Sequence, residues 1–287
     1  MDALFLHAAN DPSPQYWQAT TAMRLSAAGE ETEMMETTEA TTRRRKDNEY
    51  QLQVTDRKTE SNRDFFNWMA IINAALDDIL VETDRSGTIV RLTIPGVKEQ
   101  ERRVEKALLE KYKKREGVRE MLQQINHYLR NPSLLVPELS THGWQSLLFP
   151  GLFGNYQVGE SVCVSRIFSR FVFRADLPLA ITRTLHETPD GYLLRGEGAI
   201  DQSRFDRKKM IAGFKELYDA YDIRISEKVD YEENFRFDKT GQMIYGDTYF
   251  SLQIPGCYRC DIARVVAGQN KDHEQQVRSR WVLPNLQ

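Results

Sequence analysis

The sequence has little cysteine. Three residues of this type, Cys163, Cys257 and Cys260, occur in 287, too few to organise a disulfide scaffold. It also lacks any run of the roughly 18 to 20 apolar residues that a membrane helix needs, so no membrane insertion is expected. Neither charge sign is in surplus: 39 basic and 42 acidic residues leave a net charge of −3. That balance argues against a global electrostatic grip on nucleic acid, while leaving room for a local patch. The phosphate-cradling G-x-x-x-x-G-K-[ST], the zinc-binding H-E-x-x-H and the nucleophile elbow G-x-S-x-G are all missing. No cofactor is implied, and the reading leans away from an enzyme without deciding the matter.

What is present is ordinary globular composition, with 40% apolar and 10% aromatic residues. The N-terminus places Asp2 where a secretory signal needs positive charge, and its apolar run stops at Asn10-Asp11-Pro12. The single N-x-S/T acceptor, Asn131-Pro132-Ser133, is disqualified by its proline. A cytoplasmic location is the expectation.

Residues 1–28 carry Leu4, Phe5, Leu6, Tyr16 and Trp17, a high apolar density for a chain end. Such residues must be covered, either by their own domain or by a partner reached through a tether. Residues 29–48 are rich in Glu and Thr, without aromatics, and end in Arg43-Arg44-Arg45-Lys46. That composition buries too little to offset its ordering entropy, so it reads as a flexible linker. Residues 1–28 then read as an apolar docking segment for a protein partner. The tail 268–287 repeats the theme more weakly, with Trp281 as its anchor.

The body reads as α+β: antiparallel sheets, each backed by an amphipathic helix. A strand–helix–strand–strand unit occurs twice, in 49–96 and 159–267, with a helical insert at 97–158. In the first half, YQLQVTD alternates as a strand does, and Phe65, Trp68, Met69, Ile72, Ala75 and Leu76 follow at helical spacing. In the second, Tyr192 to Ile200 is a strand and Phe205, Met210, Ile211 and Phe214 mark a helix face. Each half then has a matching turn, Asp84-Arg85-Ser86-Gly87 and Asp238-Lys239-Thr240-Gly241, followed by a strand ending in Ile-Pro-Gly. The tract Leu147 to Gly154 reads as a buried connection or a partner-facing patch.

Candidate chemistry is sparse. Cys257 and Cys260 lack a second ligand pair and precede a strand-like run, so they read as packed cysteines; zinc would need Cys163 and His273 as well. Gly196-Glu197-Gly198 lacks the third glycine of a dinucleotide loop and lies inside a strand, where glycines mark a bulge or a close approach. His142, beside Trp144 in a loop, is the most site-like of five histidines and reads as having no role.

The segments NEYQLQV, LDDILVETDRSGTIVRL and LLFPGLFGNYQ resemble a group of cytoplasmic proteins of Bacteroidota, some from contractile-injection or type VI-like loci, over roughly residues 48–265. The resemblance implies an assembly role and brings no catalytic residues. Three functions remain open: an interaction or assembly component that docks through Leu4, Phe5, Leu6, Tyr16, Trp17 and Trp281; a module binding an apolar small molecule between sheet and helix; and an enzyme whose site converges only in the fold.

Overall fold

The computed structural model describes residues 4–8, 13–27, 29–63, 70–113, 117–172, 175–218, 227–255 and 258–268. One antiparallel sheet of eleven strands dominates them. Its order is β6-β5-β4-β3-β2-β13-β12-β11-β10-β9-β8. The strands are β2 (Gln15–Ala27), β3 (Glu30–Lys46), β4 (Glu49–Ser61), β5 (Asp78–Thr83), β6 (Ile89–Thr93), β8 (Ser161–Val172), β9 (Ala175–Thr188), β10 (Gly191–Ile200), β11 (Lys228–Phe237), β12 (Met243–Ile254) and β13 (Tyr258–Gly268). A small separate ribbon pairs β1 (Leu4–Leu6) with β7 (Gly154–Tyr156). The helices are α1 (Val97–Tyr112), α2 (Val118–Arg130), α3 (Val136–Thr141), the single turn α4 (Gln145–Leu148) and α5 (Arg207–Tyr218). Among the described residues no helix is long and apolar enough to cross a membrane.

The α+β class holds, but the halves do not form separate sheets. β2 and β13, from opposite ends of the chain, pair over eleven residues from Tyr258↔Ala27 to Gly268↔Trp17 and fuse them.

The segment read as a linker is β3, the longest strand of the sheet. Its threonines suit an extended backbone, and its acidic residues find bases alongside: Arg24 bonds Glu33 at 2.7 Å and Arg63 bonds Glu30 at 2.7 Å. Turns flank it, with Gly29 (φ +80°) on one side and Asn48 (φ +60°) on the other. Pairing on both sides supplies the order that composition alone does not. Within residues 1–28, Gln15–Ala27 accordingly belong to the sheet rather than to a tether, since β2 lies between β3 and β13.

The inner face of the sheet carries two apolar clusters. One gathers Leu52, Ile79, Val81, Leu185, Leu194, Phe235 and Val266 beneath α1, α2 and α4. The other gathers Leu177, Leu179, Ile181, Phe250 and Leu252 beneath Phe205, Met210 and Phe214 of the α5 region. Helix α3 touches both β6 and β8, the two edges of the sheet, so the sheet curls until its margins face the same short helix. The tract that begins at the end of α4 is buried, with Leu147, Leu148, Phe149 and Leu152 at most 3% exposed. Residues 269–287, including Trp281 and His273, and residues 64–69 lie outside the described residues.

The two matching turns do form. Asp84 Oδ1 accepts from the backbone N–H groups of Ser86 and Thr88, each at 2.9 Å. Asp238 Oδ1 accepts from those of Thr240 at 2.8 Å and Gln242 at 3.0 Å. The second turn holds β1: His7 N donates to Gly241 O at 2.9 Å, and Met243 N to His7 O at 3.1 Å.

Candidate functional site

Two features of the inner face could meet a ligand: an open cleft at one end and a buried ionic belt across the middle.

The cleft lies between β2, β3, β4 and the α4 turn. It is open to solvent, and the space it encloses is small, about 20 Å³. Trp17, Tyr50, Leu148, Phe149 and Met243 supply apolar wall, and Gln15, Thr42 and Arg44 supply polar edge. Alternation along β2 turns Trp17 inward, where its Nε1–H donates to Thr42 Oγ1 at 2.9 Å. Tyr50 packs on Phe149 with ring centroids 5.3 Å apart, and burial raises the pKa of its phenol above the ordinary value. Arg44 donates to Asp47 Oδ1 at 2.7 Å.

The belt follows from strand register. Directly opposed residues run Arg183–Gly196–Glu233–Thr248–Arg264–Thr21–Glu36–Thr59 across eight strands, from β9 to β4. Arg183 Nε donates to Glu233 Oε1. The phenol of Tyr231 donates to Glu233 Oε2 at 2.8 Å and accepts from Arg166 Nη1 at 3.3 Å. Burial alone would raise the Glu233 carboxyl. Arg183, then Arg166 and the Tyr231 hydroxyl, outweigh it and hold the group below the usual carboxylate range. Glu36, at the far end, lies 3.8 Å from Arg57 and accepts from Thr59 Oγ1 at 3.3 Å. Arg57 also reaches Asp77 at 3.0 Å.

Gly196 and Gly198 make room for this belt. A Cβ on Gly196 would stand 2.6 Å from Glu233 Cγ, and one on Gly198 2.8 Å from Tyr231 Cδ1. The sequence reading allowed a bulge or a close backbone approach; β10 instead pairs regularly with both neighbours, and it is side chains that crowd the two glycines.

Of the residues expected to dock a partner, Leu6 and Trp17 serve the protein's own core, at 0% and 6% exposure. Leu4 packs partly against it. Phe5 and Tyr16 face outward at 53% and 55%. Trp281 lies outside the described residues, as does Cys257. Cys260 is buried and Cys163 exposed. His142 caps the end of α3, with its ring 5.7 Å from that of Phe168. Among the described residues no three His, Cys, Asp or Glu side chains converge as a metal site would require.

The sequence reading missed Arg183, Glu233 and Arg264, although a signal was there. Leu179, Ile181, Arg183 and Leu185 share one phase of β9. Tyr231, Glu233, Phe235 and Phe237 share one of β11, and Ile262, Arg264 and Val266 one of β13. In each strand one charge interrupts the apolar phase, and burial of a charge demands a partner.

No protein-family model matches the sequence, and no curated protein sequence does. One solved structure of similar fold is that described as "lipid-protein interactions in lipovitellin". It matches with a TM-score of 0.50 and 9% sequence identity over 91% of this chain. The match covers 25% of that chain, so the present protein corresponds to about a quarter of its length. At that identity the likeness concerns the fold alone.

Proposed function

We propose that the protein is a binding module that takes an apolar small molecule at the open cleft between its curved sheet and the α4 turn. The observation that carries this reading is the cleft walled by Trp17, Tyr50, Leu148, Phe149 and Met243. A concave site with apolar walls and a few polar groups at its edge is the ordinary form of a small-molecule site. The lipovitellin structure, whose title concerns lipid–protein interactions, lends direction by fold-level analogy only.

The test uses N-phenyl-1-naphthylamine, a neutral probe whose emission rises in apolar surroundings. Wild-type protein should enhance its emission with saturable binding. Gln15→Trp, which fills the cleft from its half-buried edge, should weaken that binding at least fivefold while leaving the circular dichroism spectrum unchanged. Absence of saturable binding to the wild type, or equal binding to the variant, would overturn the reading.

A second proposal keeps the role of a cytoplasmic assembly component. It is supported by Phe5 and Tyr16, large side chains more than half exposed, which a partner could cover. A Phe5→Ser, Tyr16→Ser double variant should melt as the wild type does. It should also lose a stoichiometric protein partner co-purified from the native host. Retention of that partner, or no such partner with the wild type, refutes this second role.

A further inference from the structure

Arg264 occupies the centre of the belt, and the protein does not neutralise it. Its side chain is 5% exposed. Its Nη1 donates to the backbone oxygen of Thr141 at the end of α3, at 3.1 Å. Its Nε–H is buried without a hydrogen-bond partner among the described residues. Along the register the nearest carboxylates, Glu233 and Glu36, stand two strands away on either side, roughly 10 Å at the spacing of paired strands. Each is engaged elsewhere, Glu233 by Arg183 and Tyr231, Glu36 by Arg57 and Thr59.

A second arginine makes the imbalance larger. Arg166 Nη2 donates to Ser140 O at 2.8 Å, the carbonyl next to the one that Arg264 holds. Arg166 and Arg183 already share the one carboxylate of Glu233, which leaves none for Arg264. Burial first, and the neighbouring Arg166 second, lower the pKa of Arg264 to about 10, so it still carries its charge at neutral pH. A buried charge without a counter-charge is strongly unfavourable. A guanidinium offers oxyanions a planar fork of donors, and the side of the fork that carries Nε is the unengaged one.

We propose that Arg264, together with Arg166, forms a site for an oxyanion, a carboxylate or a phosphate, between the end of α3 and the inner face of β13. The site is distinct from the cleft. Trp17 lies opposite Gly268 and Thr21 opposite Arg264, so four residues of strand, about 13 Å, separate the two. The oxyanion is either a free ion or the head group of an amphiphile.

Thermal unfolding of the full chain tests this, with wild type and Arg264→Met compared at equal ionic strength. Chloride, inorganic phosphate, dodecanoate and dodecanol are each present during refolding from urea, because the site is buried. In chloride, Arg264→Met should melt at or above the wild-type temperature, since methionine removes an unmatched charge without leaving a large void. An oxyanion should raise the wild-type midpoint by several degrees and leave Arg264→Met unmoved. A shift with both phosphate and dodecanoate identifies a free-ion site. A shift with dodecanoate and not with phosphate or dodecanol identifies a head-group site.

The following results would overturn the proposal. They are no anion-dependent shift in the wild type, an equal shift in the variant, or a variant less stable than wild type in chloride, which would mean that the protein itself satisfies Arg264. A shift with dodecanol equal to that with dodecanoate also refutes it, and leaves the cleft reading standing.

Discussion

Gly196 and Glu233 are directly opposed on β10 and β11, and the glutamate side chain fills the place where a side chain on the glycine would be. The ion pair of Glu233 with Arg183, another strand away from Gly196, depends on that vacancy.

Gly196→Ala should therefore destabilise the fold. The new Cβ would press on Glu233 Cγ from 2.6 Å, so the carboxylate must shift away from Arg183. Overpacking of a filled interior costs about 1 to 3 kcal/mol. Urea titration followed by tryptophan fluorescence measures it. A midpoint equal to the wild type would mean that Glu233 moves freely.

Glu233→Gln should cost more, about 3 to 5 kcal/mol, because it leaves Arg183 and Arg166 without their carboxylate. The same group sets an acid dependence. Its pKa is lower in the folded protein than in the unfolded chain, so the unfolded chain binds the proton more tightly. The stabilisation is complete above the ordinary glutamate value, about 4.3, and is lost as the pH falls through the folded value. Wild type should lose stability below that pH, and the glutamine variant should show a flatter profile there.

Deleting residues 1–28 should abolish the cooperative fold rather than release a tether. The deletion removes β2 from between β3 and β13 and takes Trp17 and Ala19 out of the core. Near-ultraviolet circular dichroism and urea titration distinguish the outcomes. A truncated protein with a sharp transition would show that the remaining strands close without β2.

The two described cysteines should differ in reactivity. Burial, the largest cause, pushes the Cys260 thiol up to about 11, so at pH 8 only about a thousandth is thiolate. Cys163 is exposed. Iodoacetamide at pH 8, read by peptide mass spectrometry, should alkylate Cys163 at least a hundredfold faster than Cys260 in folded protein. In urea the two rates should converge.

The parts of the fold legible in the sequence are those with strong local chemistry. The Asp84 and Asp238 turns announce themselves, because an aspartate capping its own following amides and a glycine at positive φ (Gly87 +83°, Gly241 +86°) leave a clear signature. The stripe of Phe205, Met210 and Phe214 does so through its spacing. β3 was not legible. Glu, Thr and Arg on both of its faces hide the alternation, and what orders it is a neighbour on each side, one of them across the Asn48 turn. The cleft was half legible: Trp17 and Tyr16 stood out as apolar near a chain end. Which of them turns inward depends on the register of β2 against β13, set some 250 residues away. The belt was legible only as three interrupted phases in three strands, which become one feature when the strands align.

The pairing of β2 with β13 also fixes an order of events during synthesis. Strands β2 to β6 leave the ribosome well before β13 and can zip up as neighbours in sequence. Until Tyr258 to Gly268 emerge, the edge of β2 that faces away from β3 keeps its amides and carbonyls unpaired and open to other nascent chains. The seam between this early strand and this late one is where a chaperone has most to guard.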